Sequence, residues 1–534
     1  MSPMNMIGRA VLVAALALGL LGCEKTKTDN NKTGAPSPVI AKADQYAIDV
    51  LGTYYLWNDE IKKDLVRLSP DTCRMPMEVV KSIRYHEGGK EVDKWTMLTD
   101  DLLSFKRSIQ GQGLTYGYDL QLGKFSDRAG EYFLVVSYVC KDGPAMNAGL
   151  KRGDVIITLD GKPITKDNVY NAFNTYSVAL GVTNVEGDHI SGKVRTVRLK
   201  AVDMYEDPIL VTETFEFGGR KVGYLVYNGF DLKSSEALPE VFREFKSKNI
   251  DELIIDLRYN GGGYAFTENI LASMIAPQAN VLAGDVFQTE VYNSILADVW
   301  KQQGEDTKSR FSTRHKLSSQ DIEVDVSDAN PGLSKVYAIV SGGTASASEG
   351  LIVGLMPYMD VTLVGTRTHG KYCAGILLAP KDFYTSRYDY TLIRDWGMYV
   401  MISKFADCNG NNASIPDGIP VDLEAKDNPL DGYQLGDENE TMLRAALQAA
   451  GKTYPKSASV TRSYSKAIDL TPLATALREA SSSGRIFRHC PLKSPLYPLP
   501  SNKNRKGGRR LTLFIGPYPK EKPWKKLPGP HHTK

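Results

Sequence analysis

Cysteine and histidine are scarce. Six cysteines and seven histidines are spread through 534 residues. Neither falls at a metal-site spacing: there is no C-x-x-C pair and no H-E-x-x-H. No structural or catalytic metal is expected, and no cofactor. Cys73, Cys140, Cys373, Cys408 and Cys490 are too few and too dispersed for a disulfide framework. Charge of one sign is also lacking overall. Lys and Arg number 65 against 62 Asp and Glu, a formal net charge of +3, which argues against a nucleic-acid partner. Long hydrophobic runs are lacking, with one exception. Ala10–Leu21 is apolar throughout, yet too short to cross about 30 Å of hydrocarbon comfortably. What remains is ordinary globular protein, 42% hydrophobic and 24% charged, long enough for roughly three domains.

The N-terminal run has a basic residue, Arg9, ahead of it and Gly22-Cys23 behind it, the layout of an export signal. Leu20-Leu21-Gly22-Cys23 resembles a bacterial lipobox. That resemblance implies a signal peptide over 1–23, lipid on Cys23, and a body tethered at the cell envelope, facing the periplasm or on the outer membrane. The alternative is an ordinary signal with a chance cysteine. Residues 24–39, rich in Lys, Thr, Asn, Gly and Pro, read as a flexible stalk.

Three regions follow. In 40–109, apolar residues at Tyr46, Ala47, Val50, Leu51, Tyr54 and Trp57 keep helical spacing, and an N-terminal helical segment is expected. In 110–205 the pattern alternates, as in Leu114–Leu122 and Tyr132–Val139. Gly143–Ile164 then reads as a short helix ended at Gly149, a turn at Gly153-Asp154, a β-branched strand and a turn at Asp160-Gly161. In 206–455, strands at Val222–Tyr227, Leu253–Leu257, Val336–Val340 and Val361–Val364 alternate with helical patterns such as Ser235–Lys248. This rhythm predicts an α/β domain with a mostly parallel sheet. Residues 278–330, more polar, read as an irregular insertion at the rim. Residues 456–534 form an extension, basic and proline-rich from about 485, where 13 Lys/Arg face Glu521 alone. A non-catalytic disordered tail, or a translation product of altered reading frame, is expected there, with a basic arm for anionic surfaces as the alternative.

Three motifs carry chemistry. Ser341-Gly-Gly-Thr-Ala-Ser-Ala-Ser-Glu-Gly350 joins a strand to a helical stretch. A hydroxyl there meets unpaired backbone N–H groups and the positive end of a helix dipole, which suits a nucleophile whose oxyanion needs donors. The same residues make an ordinary capping box, Ser346 with Glu349. Val364–Lys371 follows the next strand. It sets Lys371 at the carboxyl edge of the sheet, where open α/β sheets place ligands. Lys371 acts as a base there if burial leaves it a free amine; otherwise it is a solvated surface lysine. Asp256-Leu-Arg-Tyr-Asn-Gly-Gly-Gly263 lets backbone amides approach a substrate oxygen. A phosphate loop is the rival, without the Gly-Lys-Ser/Thr it needs.

The segment Gly143–Ile164 resembles a PDZ domain in the circularly permuted form of bacterial proteases. PDZ domains take a peptide C-terminus as an added strand. The loop Leu114, Thr115, Tyr116, Gly117, Tyr118 is the expected carboxylate holder, with an unoccupied β-rich domain as the alternative. With Gly223-Tyr-Leu, Asp256–Gly263, Thr344–Glu349 and Gly370-Lys371, the chain over roughly 40–450 resembles the C-terminal processing (tail-specific) serine peptidases. The resemblance implies a ClpP/crotonase-like mixed sheet with helices, and a Ser–Lys dyad. Ser346, rather than Ser348, matches the nucleophile and Lys371 the base. The Ala347 amide and a glycine amide at Gly262 match the oxyanion hole. It also implies protein or peptide substrates with free C-termini. One departure stands out. Many family members carry a Gln four residues after the lysine, where this chain has Gly375. Glu349 or His369 would then support the lysine, or the lysine is held differently, and a Ser–His pair through His369 is a minor variant. The competing reading is an inactive lipoprotein of the same fold that binds peptides or ligands.

Overall fold

The computed structural model describes residues 35–454, except 126–129, 187–188, 191, 385–387 and 413–416, together with 471–472. The signal-like segment with Cys23, most of the stalk, and nearly all of 456–534 lie outside the described residues.

A six-stranded sheet organises the C-terminal half. Its order is Ile209–Phe217, Arg220–Tyr227, Glu252–Asp256, Lys335–Val340, Asp360–Gly365, Leu423–Glu424. The first pair is antiparallel and every other pair parallel. Glu252–Asp256 has parallel neighbours on both sides and is buried along its whole length, which is why its sequence is an unbroken apolar run. Helices cover both faces. Ser234–Ser247, Ala265–Ile275 and Ala347–Leu355 close one, around Leu225, Phe242, Ile255, Leu271 and Leu351. Thr441–Ala449 closes the other, with Met442 and Leu447 against Tyr224, Ile254 and Ile339. Each such side chain contributes about 1.5–3 kcal/mol on burial.

A second sheet runs Lys308–Arg310, Val286–Tyr292, Gly397–Ala406, Cys373–Leu378, and Met97–Thr99 pairs with Gly397–Ala406. One expectation changes here. Residues 278–330 are not an irregular rim, because Val286–Tyr292 is an inner strand. Its polar residues satisfy one another in the core: Gln288 donates to Glu268 at 2.7 Å, and Glu290 accepts from Ser403 and Tyr292 at 2.7 Å each. The N-terminal helical segment, expected over 40–109, also lends the sheet the strand Met97–Thr99. Its helix Pro38–Tyr54 starts at Ser37, whose hydroxyl accepts from Ile40 N–H. Tyr46, Val50 and Leu51 then pack with Ile376, Met398 and Val400.

The β-rich unit orders its strands Arg195–Lys200, Ser177–Thr183, Val155–Leu159, Tyr132–Val139, Tyr118–Lys124. Asp160 and Gly161, at φ +52° and +74°, form the tight turn expected between Val155–Leu159 and Lys162–Pro163. The run Leu114–Leu122 is two strands rather than one. Gly117, at φ +72°, breaks it, and Gln112–Thr115 pairs with Val202–Tyr205 instead. On the outer edge of Tyr118–Lys124 sits Thr471–Pro472, antiparallel. Among the described residues no helix is long and apolar enough to cross a membrane, and no His/Cys/Asp/Glu group could hold a metal ion.

Candidate active site

The strand Lys335–Val340 ends at the carboxyl edge of the main sheet, and the helix Ala347–Leu355 begins just beyond it. The connection is pinned by its own hydroxyls: Ser341 Oγ donates to Arg258 O and Thr344 Oγ1 to Leu257 O. Ser346 closes the connection at φ +59°, ψ −119°, a region L-residues rarely occupy and one that costs about 1–3 kcal/mol. The capping box is only half made. Glu349 accepts from Ser346 N–H at 3.0 Å, while the Ser346 hydroxyl makes no cap bond. That leaves Oγ available at a helix N-terminus. Ser348 has no such freedom: it is fully buried and donates to Asn260 O at 3.0 Å.

Ser346, Lys371 and the three glycines Gly261, Gly262 and Gly263 line one cleft of about 600 Å³. Glu349 is the link between its two halves. This carboxylate is wholly buried. It accepts from Ser346 N–H on one side, and from Gly370 N–H at 2.7 Å, Lys371 N–H at 2.8 Å and Thr368 Oγ1 at 2.6 Å on the other. Burial pushes its carboxyl above the usual glutamate value, and these four donors pull it back.

The Lys371 ammonium is buried, 8% exposed as a residue. Nζ donates to Tyr399 Oη at 3.3 Å and lies 5.5 Å and 5.4 Å from the ring centres of Trp95 and Tyr399. Burial disfavours its charge. Tyr399, Cys373 and, farther away, Asp93 favour it, and the balance leaves the amine above the ordinary lysine value. The free amine expected from burial alone is therefore not the resting form.

The turn after Glu252–Asp256 is built on buried ions. Arg258 pairs with Asp256 at 2.6 Å and Glu440 at 2.7 Å, and Arg152, from the β-rich unit, pairs with Asp427 at 2.6 Å and Glu440 at 3.1 Å. Burial works to raise the Asp427 carboxyl, yet the two guanidiniums hold it well below the usual carboxylate range. Gly262, at φ +97°, is pressed onto Ser346: a Cβ there would sit 2.6 Å from Ser346 Cβ. Its amide does not face an oxyanion as expected. It donates to Asn260 Oδ1 at 2.8 Å, because the Asn side chain folds back over its own turn. Ala347 opens the helix, and its amide is one of the four that a helix start leaves without an intrahelical partner.

His369 stands apart. It does not line the cleft; its ring nitrogen is 3.3 Å from Gly342 O and its ring packs near Trp95. The loop 114–118 is largely engaged in its own unit. Gly117 N–H donates to Thr115 Oγ1 at 2.9 Å, and Tyr116 O and Gly117 O accept from Ala145 and Cys140 N–H. Sequence reasoning missed Trp95 and Tyr399, which reach the lysine from separate segments and carry no local motif.

Residues 221–424 match the model of peptidase family S41, and residues 135–172 match that of the PDZ domain. A carboxy-terminal processing protease of Bacillus subtilis is 25% identical over 239 residues, covering 43% of this chain and 42% of that protein. The chloroplastic C-terminal processing peptidase of Tetradesmus obliquus is 24% identical over 277 residues, 49% and 52% of the two chains. The chain thus spans about half the length of these relatives. A crystal structure from Bacteroides fragilis assigned to the S41 proteases superposes with a TM-score of 0.59 at 23% identity, covering 76% of this chain and 97% of that one, a likeness of fold. Over 221–424 the chain is thus similar to peptidase family S41, and ahead of that, over 135–172, to the PDZ domain.

Proposed function

We propose that the protein is a serine endopeptidase that cleaves protein tails with Ser346 as nucleophile and Lys371 as base. The observation that carries this is the pairing in one cleft of an uncapped, strained serine hydroxyl with a buried lysine amine. A substrate tail docks on the PDZ domain and its upstream segment enters the cleft as an extended strand. Seating it strips the remaining water from Nζ, which favours the free amine. Lys371 then takes the Ser346 proton while Oγ attacks the scissile carbonyl. The Ala347 amide holds the oxyanion; Gly262 joins it only by releasing Asn260. The ammonium gives its proton to the leaving amine, and water hydrolyses the acyl-enzyme.

The test is labelling and proteolysis together. Wild type should cut β-casein and react with a fluorophosphonate at Ser346. Ser346→Ala should do neither, and Lys371→Ala should lose both by orders of magnitude. A peptide-binding protein without catalysis would bind tails yet never label, and full proteolysis by Ser346→Ala would end the assignment. We further propose that Cys23 carries a lipid that anchors the protein at the cell envelope. Metabolic labelling with a fatty-acid probe should mark wild type and not Cys23→Ser.

A further inference from the structure

The lysine of the cleft needs an acceptor that fixes its rotamer, and its own strand offers none. Cys373–Leu378 follows Lys371, and Gly375, two residues into that strand, has no side chain. The space above Gly375 is filled. A Cβ at 375 would meet Met401 Cε at 2.3 Å, Tyr399 Cζ at 2.9 Å and Tyr399 Oη at 3.1 Å. Tyr399 belongs to the neighbouring strand Gly397–Ala406, where Gly375 pairs with Met401 and Leu377 with Tyr399. The tyrosine is therefore the diagonal same-face neighbour of Gly375, close enough for a long side chain to cross. Its hydroxyl ends 3.3 Å from Lys371 Nζ and lines the cleft with Ser346.

The other groups around Nζ do not serve. Trp95 presents a ring face 5.5 Å away, and its N–H is a donor only. The Cys373 thiol is fully buried, and sulfur is a weak acceptor. Asp93 is committed to Tyr55 Oη and to the amides of Trp95 and Thr96. The phenol oxygen alone accepts one Nζ–H, leaving the amine lone pair free to turn to Ser346.

We propose that Tyr399 is a positioning residue for Lys371, and that Gly375 exists so that the phenol can reach the amine from the adjacent strand. This rests on the Ser346–Lys371 reading. The phenol restrains Nζ, the aromatic pair Trp95 and Tyr399 shields it, and a side chain at 375 would expel the tyrosine.

The test uses the full chain with β-casein as substrate and fluorophosphonate labelling as a second readout. Tyr399→Phe keeps the ring and loses the oxygen. It should lower kcat about 10–100-fold, the scale of a roughly 1 Å misplacement, with KM within about twofold. The alkaline limb of the kcat/KM profile should move to lower pH, because an oxygen that favours the ammonium is gone. Tyr399→Ala with Met401→Ala opens the space over Gly375, and adding Gly375→Gln to that pair should recover about tenfold over the pair alone. Tyr399→Phe within twofold of wild type, with an unmoved limb, overturns the proposal while Lys371→Ala stays inactive. A lower kcat with an unmoved limb and no recovery by Gly375→Gln also overturns it, since that is the mark of a merely structural residue. If Lys371→Ala is as active as wild type, the Ser–Lys reading itself has failed.

Discussion

Glu349 is the side chain whose loss should do the most damage per atom removed. Its carboxylate takes four hydrogen bonds from groups on both catalytic segments, and no solvent reaches it. Glu349→Ala leaves three amides and one hydroxyl without their acceptor. Each unsatisfied buried donor costs about 1–3 kcal/mol. Water entering the vacated space relieves part of that, since the new cavity is polar. A net loss of about 3–5 kcal/mol follows, in the range that marks a broken buried network. At roughly 2–4 °C per kcal/mol, the domain over 206–455 should melt about 6–20 °C lower. The second consequence is chemical. Ser346 N–H and Lys371 N–H hang on the same oxygen, so the two residues should lose their mutual register even in the folded fraction, which on the proposed mechanism slows acylation. Differential scanning calorimetry reads the first effect, and fluorophosphonate labelling well below the melting transition reads the second. A variant that melts within about 1 °C of wild type and labels at the wild-type rate would refute the reasoning, because it would mean that the two segments hold each other without the carboxylate.

Activity should climb from neutral pH into the alkaline range, because the base must shed a proton that its surroundings hold above the ordinary lysine value; a flat rate between pH 6 and 10 contradicts a lysine base. Gly262→Ala should abolish proteolysis, since the new Cβ would lie 2.6 Å from Ser346 Cβ at a backbone angle hostile to side chains; turnover near wild type would show that the turn is free to move. Asp427 has a depressed carboxyl in the fold, so its contribution to stability is present above the ordinary aspartate value of about 3.9 and lost as pH falls through the folded value. Wild type should therefore weaken in acid below about pH 4 more steeply than Asp427→Asn, with chemical denaturation at several pH values as the check. Thr471–Pro472 lies on the strand edge that a docked tail would extend. A chain truncated after Tyr454 should bind a fluorescent C-terminal peptide more tightly than the full chain, by anisotropy; equal affinity would mean that tails dock elsewhere.

Much of the fold is written locally. The strands of the main sheet announce themselves because parallel strands buried on both faces leave no polar alternation, and Leu253-Ile-Ile is the clearest case. The turn at Asp160-Gly161 is legible because two successive positive φ angles admit few residue pairs. Val286–Tyr292 was missed for the opposite reason. Its buried Gln288 and Glu290 are satisfied by Glu268, Tyr292 and Ser403, and only the folded chain brings Glu268 and Ser403 near. A polar residue in sequence carries no sign of whether its partner will be water or another side chain. Leu114–Leu122 alternates straight through Gly117, so the pairing of Gln112–Thr115 with Val202–Tyr205 leaves no local sign, although 114–118 reads as a loop.

The site divides along the same line. Ser346, Lys371 and the glycine turn stand at ends of strands, where a sequence can be read for chemistry, and Glu349 was visible as a helix-capping partner. What the sequence hid is the direction of things. Glu349 spends one oxygen on Lys371 N–H as well as Ser346 N–H, across 22 residues. Asn260 turns on Gly262 and takes the amide that the oxyanion was to have. Trp95 and Tyr399 come from segments 276 and 28 residues away from Lys371. Gly375 is a local hint, a missing side chain whose space Met401 and Tyr399 of the next strand fill. A position in a strand is judged by what crosses it, and a gap in one strand is a reason to inspect the same face of its neighbour.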